Sequence, residues 1–143
     1  MTDHRPQDDI VGAIGRAHTA LRARTARAVR RESGLGLSEW RILALIGDDG
    51  LDHAAAIGAQ GGLDKGLLSR ALRKLEQRGL IESTADPYDT RVQRLSVTEP
   101  GRALLERAGP GVMASRDRIT ATLSREDRAQ LVRLLSRVAP MDR

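Results

Sequence analysis

Apolar residues recur at helical spacing along most of this chain, and the clearest stripe lies near its centre. Four apolar residues there stand at i, i+3, i+4 and i+7, on one face of a helix: Leu68, Ala71, Leu72 and Leu75. Asp64 stands just before the stripe as a candidate N-cap. Gly79, followed by the apolar Leu80, is typical of a Schellman stop. The pattern predicts an amphipathic helix over residues 64–78.

Two short strand-like segments follow this helix. Residues 81–85 and 92–97 flank a turn at 86–89 that reads Asp-Pro-Tyr-Asp. Asp beside Pro suits the opening of a turn. We therefore predict a two-stranded hairpin directly after the helix.

Three further helical patterns precede the central helix. The first covers residues 9–31 and has only a modest apolar stripe. Ser38 is the candidate N-cap of the second, and Asp52 caps a short Ala-rich third. The second helix is predicted to bury one face, formed by Trp40, Leu43, Leu45 and Ile46.

The C-terminal part of the chain also has a helical pattern. Thr98 is a candidate N-cap with Pro100 in the first turn, and Ser124 opens a capping box. Because Pro110 lacks an N–H and clashes with the preceding turn, we expect a kink or break at residues 109–111. The last helix carries a final apolar stripe: Leu131, Leu134, Leu135 and Val138.

Composition narrows the class of protein. The 143 residues suit one domain, and with no Phe, one Trp and one Tyr the core must be built from aliphatic side chains. The net charge of +5 favours a polyanionic partner. The absence of Cys excludes disulfides and thiol chemistry. No signal peptide or membrane span is evident, so we expect a soluble, cytoplasmic protein.

The polar face of the central helix is strongly basic. It carries the residues that we assign to DNA binding on this helix: Lys65, Ser69, Arg70, Arg73 and Lys74. An α-helix fits the major groove, and side chains of its N-terminal half can reach base edges. An ordinary solvated surface helix would have the same pattern, so this feature alone does not decide the function.

The hairpin tip adds a second feature. An Asp two residues from an Arg can orient it through a charge-assisted hydrogen bond, as Asp89 is placed to do for Arg91. An oriented Arg is what the narrow minor groove attracts. The alternative is an exposed ion pair worth less than about 1 kcal/mol.

The first helix carries six Arg and no acidic residue over residues 16–31. Three interpretations stay open: a solvated face, a patch that faces phosphates, and a collar around an anionic ligand.

The chain resembles the MarR family of winged-helix regulators over nearly its whole length. The resemblance rests on LSEWRILALI at 37–46, LDKGLLSRALRKLEQRGLIE at 63–82, DPYDTR at 86–91, LSVTEPGRALLE at 95–106 and LSREDRAQLVRLL at 123–135. It implies a mainly α fold with a small two- or three-stranded β-wing. A winged helix-turn-helix lobe at about 37–97 would lie between dimerisation helices at about 9–33 and 98–140.

The resemblance also implies a function, namely a homodimeric, sequence-specific DNA-binding regulator of the repressor type. Recognition helix 64–78 would enter the major groove of a pseudo-palindromic operator, and wing 81–97 would enter the minor groove. By position, Ser69 and Arg70 would contact bases and phosphates, Arg91 would be the minor-groove arginine and Asp89 its orienting partner.

Many family members also bind small anionic or aromatic compounds, which implies a possible ligand pocket. The residues that we assign to it are His18, Arg22, Trp40 and Arg41. For Trp40 the alternative is core packing, and for His18 it is a packed helix position.

The sequence departs from the family pattern where base contacts are expected. Gly66 and Leu67 stand where small polar residues are usual, and Gly58 and Gly61 replace residues that pack the preceding helix. Gly66 costs about 1 kcal/mol of helix propensity relative to Ala. The assignment of base contacts depends on this first turn.

The sequence also bears on two other classes of function. A non-specific DNA-coating protein is the alternative that the net charge and the Arg-rich helix favour. An enzyme is not expected, because the three His are scattered and no Gly-rich phosphate loop occurs. The same scatter predicts no metal site, and no cofactor is expected.

Overall fold

The structure, a computed structural model, describes residues 9–138. Within this range the chain forms six α-helices and one two-stranded antiparallel sheet, the mainly α winged-helix fold that was predicted. The elements are α1 (Ile10–Ser33), α2 (Leu37–Gly47), α3 (Ala54–Gly61), α4 (Lys65–Gln77), β1 (Ile81–Ala85), β2 (Gln93–Val97), α5 (Glu99–Ile119) and α6 (Arg125–Val138). His4 and the last two residues of the predicted segment 98–140 lie outside the described residues.

Three predicted N-caps are confirmed. The Leu67 amide donates to Oδ1 of Asp64 at 2.9 Å, which fixes the start of α4. The Gly101 amide donates to Oγ1 of Thr98 at 3.2 Å, at the start of α5. At α6 the hydroxyl of Ser124 accepts from the Asp127 amide at 3.0 Å and donates to Oδ2 of Asp127 at 2.7 Å. This hydroxyl holds the pKa of Asp127 below its ordinary value.

The predicted Schellman stop is also confirmed. Gly79 has a φ of +66°, which a glycine adopts without strain. The Leu80 amide donates to the Leu75 carbonyl at 3.0 Å, and the Gly79 amide donates to the Glu76 carbonyl at 2.8 Å. These bonds end α4 and turn the chain directly into β1.

Two predicted caps are wrong. Helix α2 begins one residue before Ser38, and its N-cap is Gly36. Gly36 has no side chain that could cap the helix. The carboxylate of Glu39 takes part in the cap instead, and its Oε2 accepts from the Gly36 amide at 3.1 Å. Asp52 does not cap α3, whose N-cap is His53 without a side-chain bond.

Of the kink or break predicted at residues 109–111, the break does not occur. Helix α5 runs through Pro110 from Glu99 to Ile119. Pro110 costs one backbone hydrogen bond at a single turn of the helix. Against this cost, α5 contributes four buried residues to the core: Leu104, Leu105, Ala108 and Val112. Gly111 adds to this packing, because a Cβ there would overlap the carboxylate of Glu32 on α1. Close packing against α1 overrides the local preference.

The core is aliphatic, as the composition predicts. Its largest fully buried side chains come from α1, the α1–α2 turn, α2, α3 and α4: Val29, Leu35, Ile42, Leu43, Ile57 and Leu75. Trp40 joins this cluster at 9% exposure. The unusual glycines of α3 have leucine side chains close by, since a Cβ at Gly58 would lie 3.1 Å from Leu68 and one at Gly61 would lie 3.1 Å from Leu63.

Helix α5 follows the wing after a single residue. Thr98 separates β2 from α5, and its hydroxyl also donates to the Gly79 carbonyl at 2.6 Å. The Thr98 amide donates to the Leu80 carbonyl at 3.1 Å. Gly101 lies so close to that carbonyl that a Cβ would overlap it. The end of α4, the wing and the first turn of α5 therefore form one packed junction.

Helix α6 buries none of its residues in the protomer. The predicted apolar stripe is present but exposed: Leu131 at 45%, Leu134 at 47%, Leu135 at 40% and Val138 at 67%. Among residues 9–138, no helix is both long and apolar enough to cross a membrane.

Candidate nucleic-acid interface

Helix α4 presents one buried and one open face. Leu68, Ala71 and Leu75 are buried in the core. The five predicted DNA-binding residues of α4 are all exposed: Lys65, Ser69, Arg70, Arg73 and Lys74. The structure therefore keeps these side chains on the outside of the lobe, where a groove of DNA could accept them.

Gly66 lies in the middle of this exposed face. A Cβ at this position would lie 3.3 Å from a terminal nitrogen of Arg70 and 3.3 Å from Oδ1 of Asp64. The missing side chain thus lets Arg70 fold back over the first turn of α4. The departure from the family pattern at Gly66 enlarges the space available to a neighbouring arginine.

Lys74 differs from the other basic residues of α4. Its Nζ lies 3.4 Å from Oε1 of Glu39, whose side chain is largely buried. Glu39 also accepts from the Gly36 amide at the start of α2. Lys74 therefore connects the last turn of α4 to the first turn of α2, and its charge is already partly neutralised.

The wing tip is organised by two aspartates. Oδ1 of Asp86 accepts from the Tyr88 amide at 2.7 Å and from the Asp89 amide at 3.1 Å. Oδ1 of Asp89 then accepts from the amide and from Nε of Arg91, at 3.0 and 3.3 Å. The Arg91 side chain is 91% exposed. The structure brings Asp89 and Arg91 together as the sequence predicts, with the guanidinium open to the outside.

An unpredicted arginine anchors the second strand of the wing close to its tip. Nε of Arg94 donates to Oδ2 of the buried Asp86 at 2.5 Å, and its Nη1 donates to Oδ2 of Asp52 at 2.6 Å. The Leu95 amide donates to the Asp52 carbonyl at 2.8 Å. Asp52 thus holds β2 through both its backbone and its side chain, which explains why it does not cap α3.

The electrostatics of Asp86 follow from these contacts. The Tyr88 amide, and then the Arg94 guanidinium, hold the pKa of Asp86 below its ordinary value. Asp86 in turn raises the pKa of Arg94. Local sequence signals point to the turn at Asp86, but they contain nothing about Asp52, which lies 42 residues from Arg94.

The four predicted pocket residues meet around one cleft. His18 and Arg22 of α1 and Trp40 and Arg41 of α2 line a cleft of about 590 Å³ between α1, α2 and α5. Sequence reasoning missed its α5 wall, which includes Gly109, Val112, Met113 and Arg116. It was missed because α5 was expected to be interrupted there. Trp40 is both a core residue and part of the cleft lining.

No metal centre accompanies these sites. Within residues 9–138, no group of three or more His, Cys, Asp or Glu side chains is placed to hold a metal ion.

Comparison with known proteins agrees with the fold. The family model described as the MarR family matches residues 33–92. The HTH-type transcriptional regulator MhqR of Bacillus subtilis (strain 168) is 29% identical over 125 residues, which cover 87% of this chain and 86% of that protein. These matches support a MarR-family winged-helix regulator, and the chain is similar to that family.

Solved structures extend the MarR-family similarity to the whole fold. A probable transcriptional regulator from Pseudomonas aeruginosa has a TM-score of 0.82 at 26% identity, over 94% of this chain and 99% of that one. The transcriptional repressor CouR, solved with a 23-mer DNA duplex, has a TM-score of 0.80 at 29% identity, over 91% and 92% of the two chains. The similarity to these transcriptional regulators, one of them solved on DNA, supports DNA-binding transcription regulation rather than catalysis.

Proposed function

We propose that this protein is a homodimeric repressor that binds a pseudo-palindromic operator, with α4 in the major groove and the wing in the minor groove. The observation that carries the proposal is the combination of an open basic face on α4 with the exposed, Asp89-bound Arg91 on the adjoining wing. The two features lie on elements that Gly79 and Thr98 hold together.

The exposed side chains of α4 suit the major groove. Arg70 and Arg73 can make bidentate contacts with guanine or phosphate, and Ser69 can accept or donate a hydrogen bond. Lys65 lies at the helix N-terminus, where backbone N–H groups also favour a phosphate. Lys74 would contribute less, because Glu39 already pairs with it.

The wing supports the proposed contact with the minor groove. Asp89 restrains the Arg91 guanidinium before any DNA is present, so less side-chain entropy is lost on binding. The narrow minor groove has an enhanced negative potential that favours such an arginine.

The exposed α6 stripe supports a dimer. Large apolar side chains at both ends of the described chain are uncovered in the protomer, among them Ile10 at 65% and Val138 at 67% exposure. Burial of one leucine side chain contributes about 1.5–3 kcal/mol. We assign α1, α5 and α6 to the interface, because burial of these stripes in a second copy recovers that free energy.

The cleft around Trp40 supports release by a small ligand. The lining carries more arginines than aspartates, with Arg22, Arg41 and Arg116 against Asp48 and Asp49. Trp40 and Met113 supply an apolar wall. This lining suits a small anionic, aromatic compound. Such a ligand lowers the affinity for DNA only if it binds the DNA-free conformation more tightly.

A titration tests the proposed function. Affinity for the duplex upstream of the protein's own gene is compared with affinity for a scrambled duplex at one salt concentration. A specific regulator should prefer its own site by about 10³-fold or more. A ratio near one would overturn the proposal and favour the second candidate, a non-specific DNA-coating protein, which the net charge of +5 supports.

The ligand is tested separately. Benzoate and its hydroxylated derivatives are added to the full chain, and both the unfolding temperature and operator affinity are measured. Stabilisation that is lost in Arg41→Ala, together with weaker operator binding, is expected. Stabilisation without any change in operator affinity would contradict release by the ligand.

A further inference from the structure

The arginines of α1 point to two different sides of the helix. Arg22 lines the cleft around Trp40. Arg24, Arg27 and Arg31 stand at i, i+3 and i+7, on another face. There they line a second cleft, also of about 590 Å³, together with Ala28 of α1 and Ser115, Arg118 and Ile119 of α5. We call it the arginine cleft.

Ser115 forms the floor of the arginine cleft. It is buried, at 6% exposure, and its hydroxyl accepts from Nη2 of Arg31 at 3.0 Å and from Nη2 of Arg118 at 3.1 Å. One buried oxygen thus fixes two guanidiniums that belong to different helices. A guanidinium has five N–H donors, so most donors of both groups stay available to a ligand.

The charges of the cleft are poorly balanced. The ion pair between Arg31 and Glu32, at 2.9 Å, is the one salt bridge that the four arginines make within residues 9–138. Four positive charges therefore face one negative charge. Arginines at i+3 and i+4 spacing on one helix repel each other. An anion between α1 and α5 would relieve this repulsion.

The lining indicates the kind of anion. Ala28 and Ile119 are the apolar residues of the arginine cleft, and it has no aromatic wall of the kind that Trp40 gives the other cleft. Planar guanidinium groups match the oxygens of a phosphate through paired hydrogen bonds. A group with two or more negative charges matches this surplus of positive charge better than a single carboxylate does.

We propose that the arginine cleft binds a small molecule through a phosphomonoester or diphosphate group, at a site separate from the cleft around Trp40. The assignment goes beyond the proposed function, because it depends neither on operator recognition nor on a ligand beside Trp40. Since α1 and α5 line both clefts, a bound phosphate would also tie together the two helices that form the walls of the other site.

Inorganic pyrophosphate is the probe for a direct test. Its binding to the full chain is measured by calorimetry at constant ionic strength. The double variant Arg27→Ala/Arg118→Ala should bind about tenfold or more weakly, because two charged donors are lost. The matched control, Arg30→Ala, removes one charge from the same helix outside the cleft and should change affinity by less than about twofold.

Each other result has a defined meaning. Absence of pyrophosphate binding by the wild type, or equal losses in the control and the double variant, overturns the proposal. If the double variant unfolds, Ser115→Ala replaces it, and it should weaken pyrophosphate binding without loss of helix content by circular dichroism; unchanged binding overturns the proposal.

A duplex titration without pyrophosphate separates this site from DNA binding. Loss of duplex affinity in the double variant beyond that in Arg30→Ala would assign these arginines to the DNA backbone and overturn the small-molecule site. Normal operator binding together with weakened pyrophosphate binding supports it. Failure of the operator titration alone leaves the pyrophosphate result unaffected, so the two proposals are tested independently.

Discussion

Arg94 and Asp52 are 42 residues apart in the chain, and their side chains meet at 2.6 Å. The contact joins the second strand of the wing to the loop before α3. Since Arg94 also binds Asp86 at the start of the tip turn, it ties the tip to β2, while Asp52 ties β2 to the body of the lobe.

We predict that Arg94→Ala weakens operator binding several-fold, although Arg94 lies on β2 rather than in the tip turn that carries Arg91. The reason is that the wing loses its attachment to Asp52 and Asp86, so Arg91 must be ordered when DNA binds. Hydrogen exchange of the Val92 and Leu95 amides should become faster in the same variant. Unchanged exchange together with weaker binding would instead indicate a direct contact between Arg94 and DNA.

Acid should loosen the wing through Asp86. Its pKa is lowered in the folded state from an ordinary value of 3.8. Its contribution to stability is therefore fully present above about pH 3.8 and is lost as the pH falls towards the folded-state pKa. Urea unfolding of the wild type and Asp86→Asn should show a difference in the free energy of unfolding that shrinks below pH 3.8. A difference that stays constant down to the lowest accessible pH would contradict this.

The variant Asp89→Ala distinguishes two effects of Asp89 on DNA affinity, namely the orientation of Arg91 and the repulsion of DNA by its negative charge. The change removes a negative charge near the DNA, so simple electrostatics predicts tighter binding. We expect several-fold weaker binding, because Arg91 loses both hydrogen bonds to Asp89. Tighter binding by Asp89→Ala would disprove the orienting role.

Arg91→Ala should reduce the slope of log affinity for DNA against log salt concentration by about 1, whereas Arg133→Ala on α6 should leave that slope unchanged.

A charge in the α6 stripe should separate the subunits. Leu134 is 47% exposed in the protomer, so Leu134→Glu leaves the protomer core intact. It places a carboxylate in the proposed interface, and light scattering should then report half the wild-type mass. Ala129→Glu, on the opposite face of the same helix, is the matched control and should keep the mass of the wild type. Equal masses for all three proteins would exclude this stripe from the interface.

Elements whose signals are local could be predicted from the sequence. The capping bonds of Asp64, Thr98 and Gly79 reach groups within five residues, so these capping roles are visible in a short stretch of chain. The pairing of Asp89 with Arg91 is local in the same sense. These short-range contacts determine most of α4 and the wing tip.

Long-range packing explains what could not be predicted. Pro110 indicates a break, but its helix is held by contacts with α1, including the close approach of Gly111 to Glu32. Asp52 stands in a good capping position, yet its carboxylate pairs with Arg94 instead. In both cases a partner distant in the chain outweighs the local preference.

The junction at Thr98 has a mechanical consequence. One residue, hydrogen-bonded through both its amide and its hydroxyl, is all that separates β2 from α5, and Gly101 packs directly on the Leu80 carbonyl. The wing therefore moves together with α5 as one rigid unit. In the proposed dimer, a small tilt of α5 changes the distance between the two wings in proportion to the length of that helix. The angle of α5 would then set the spacing of the two half-sites that the wings of the proposed dimer reach.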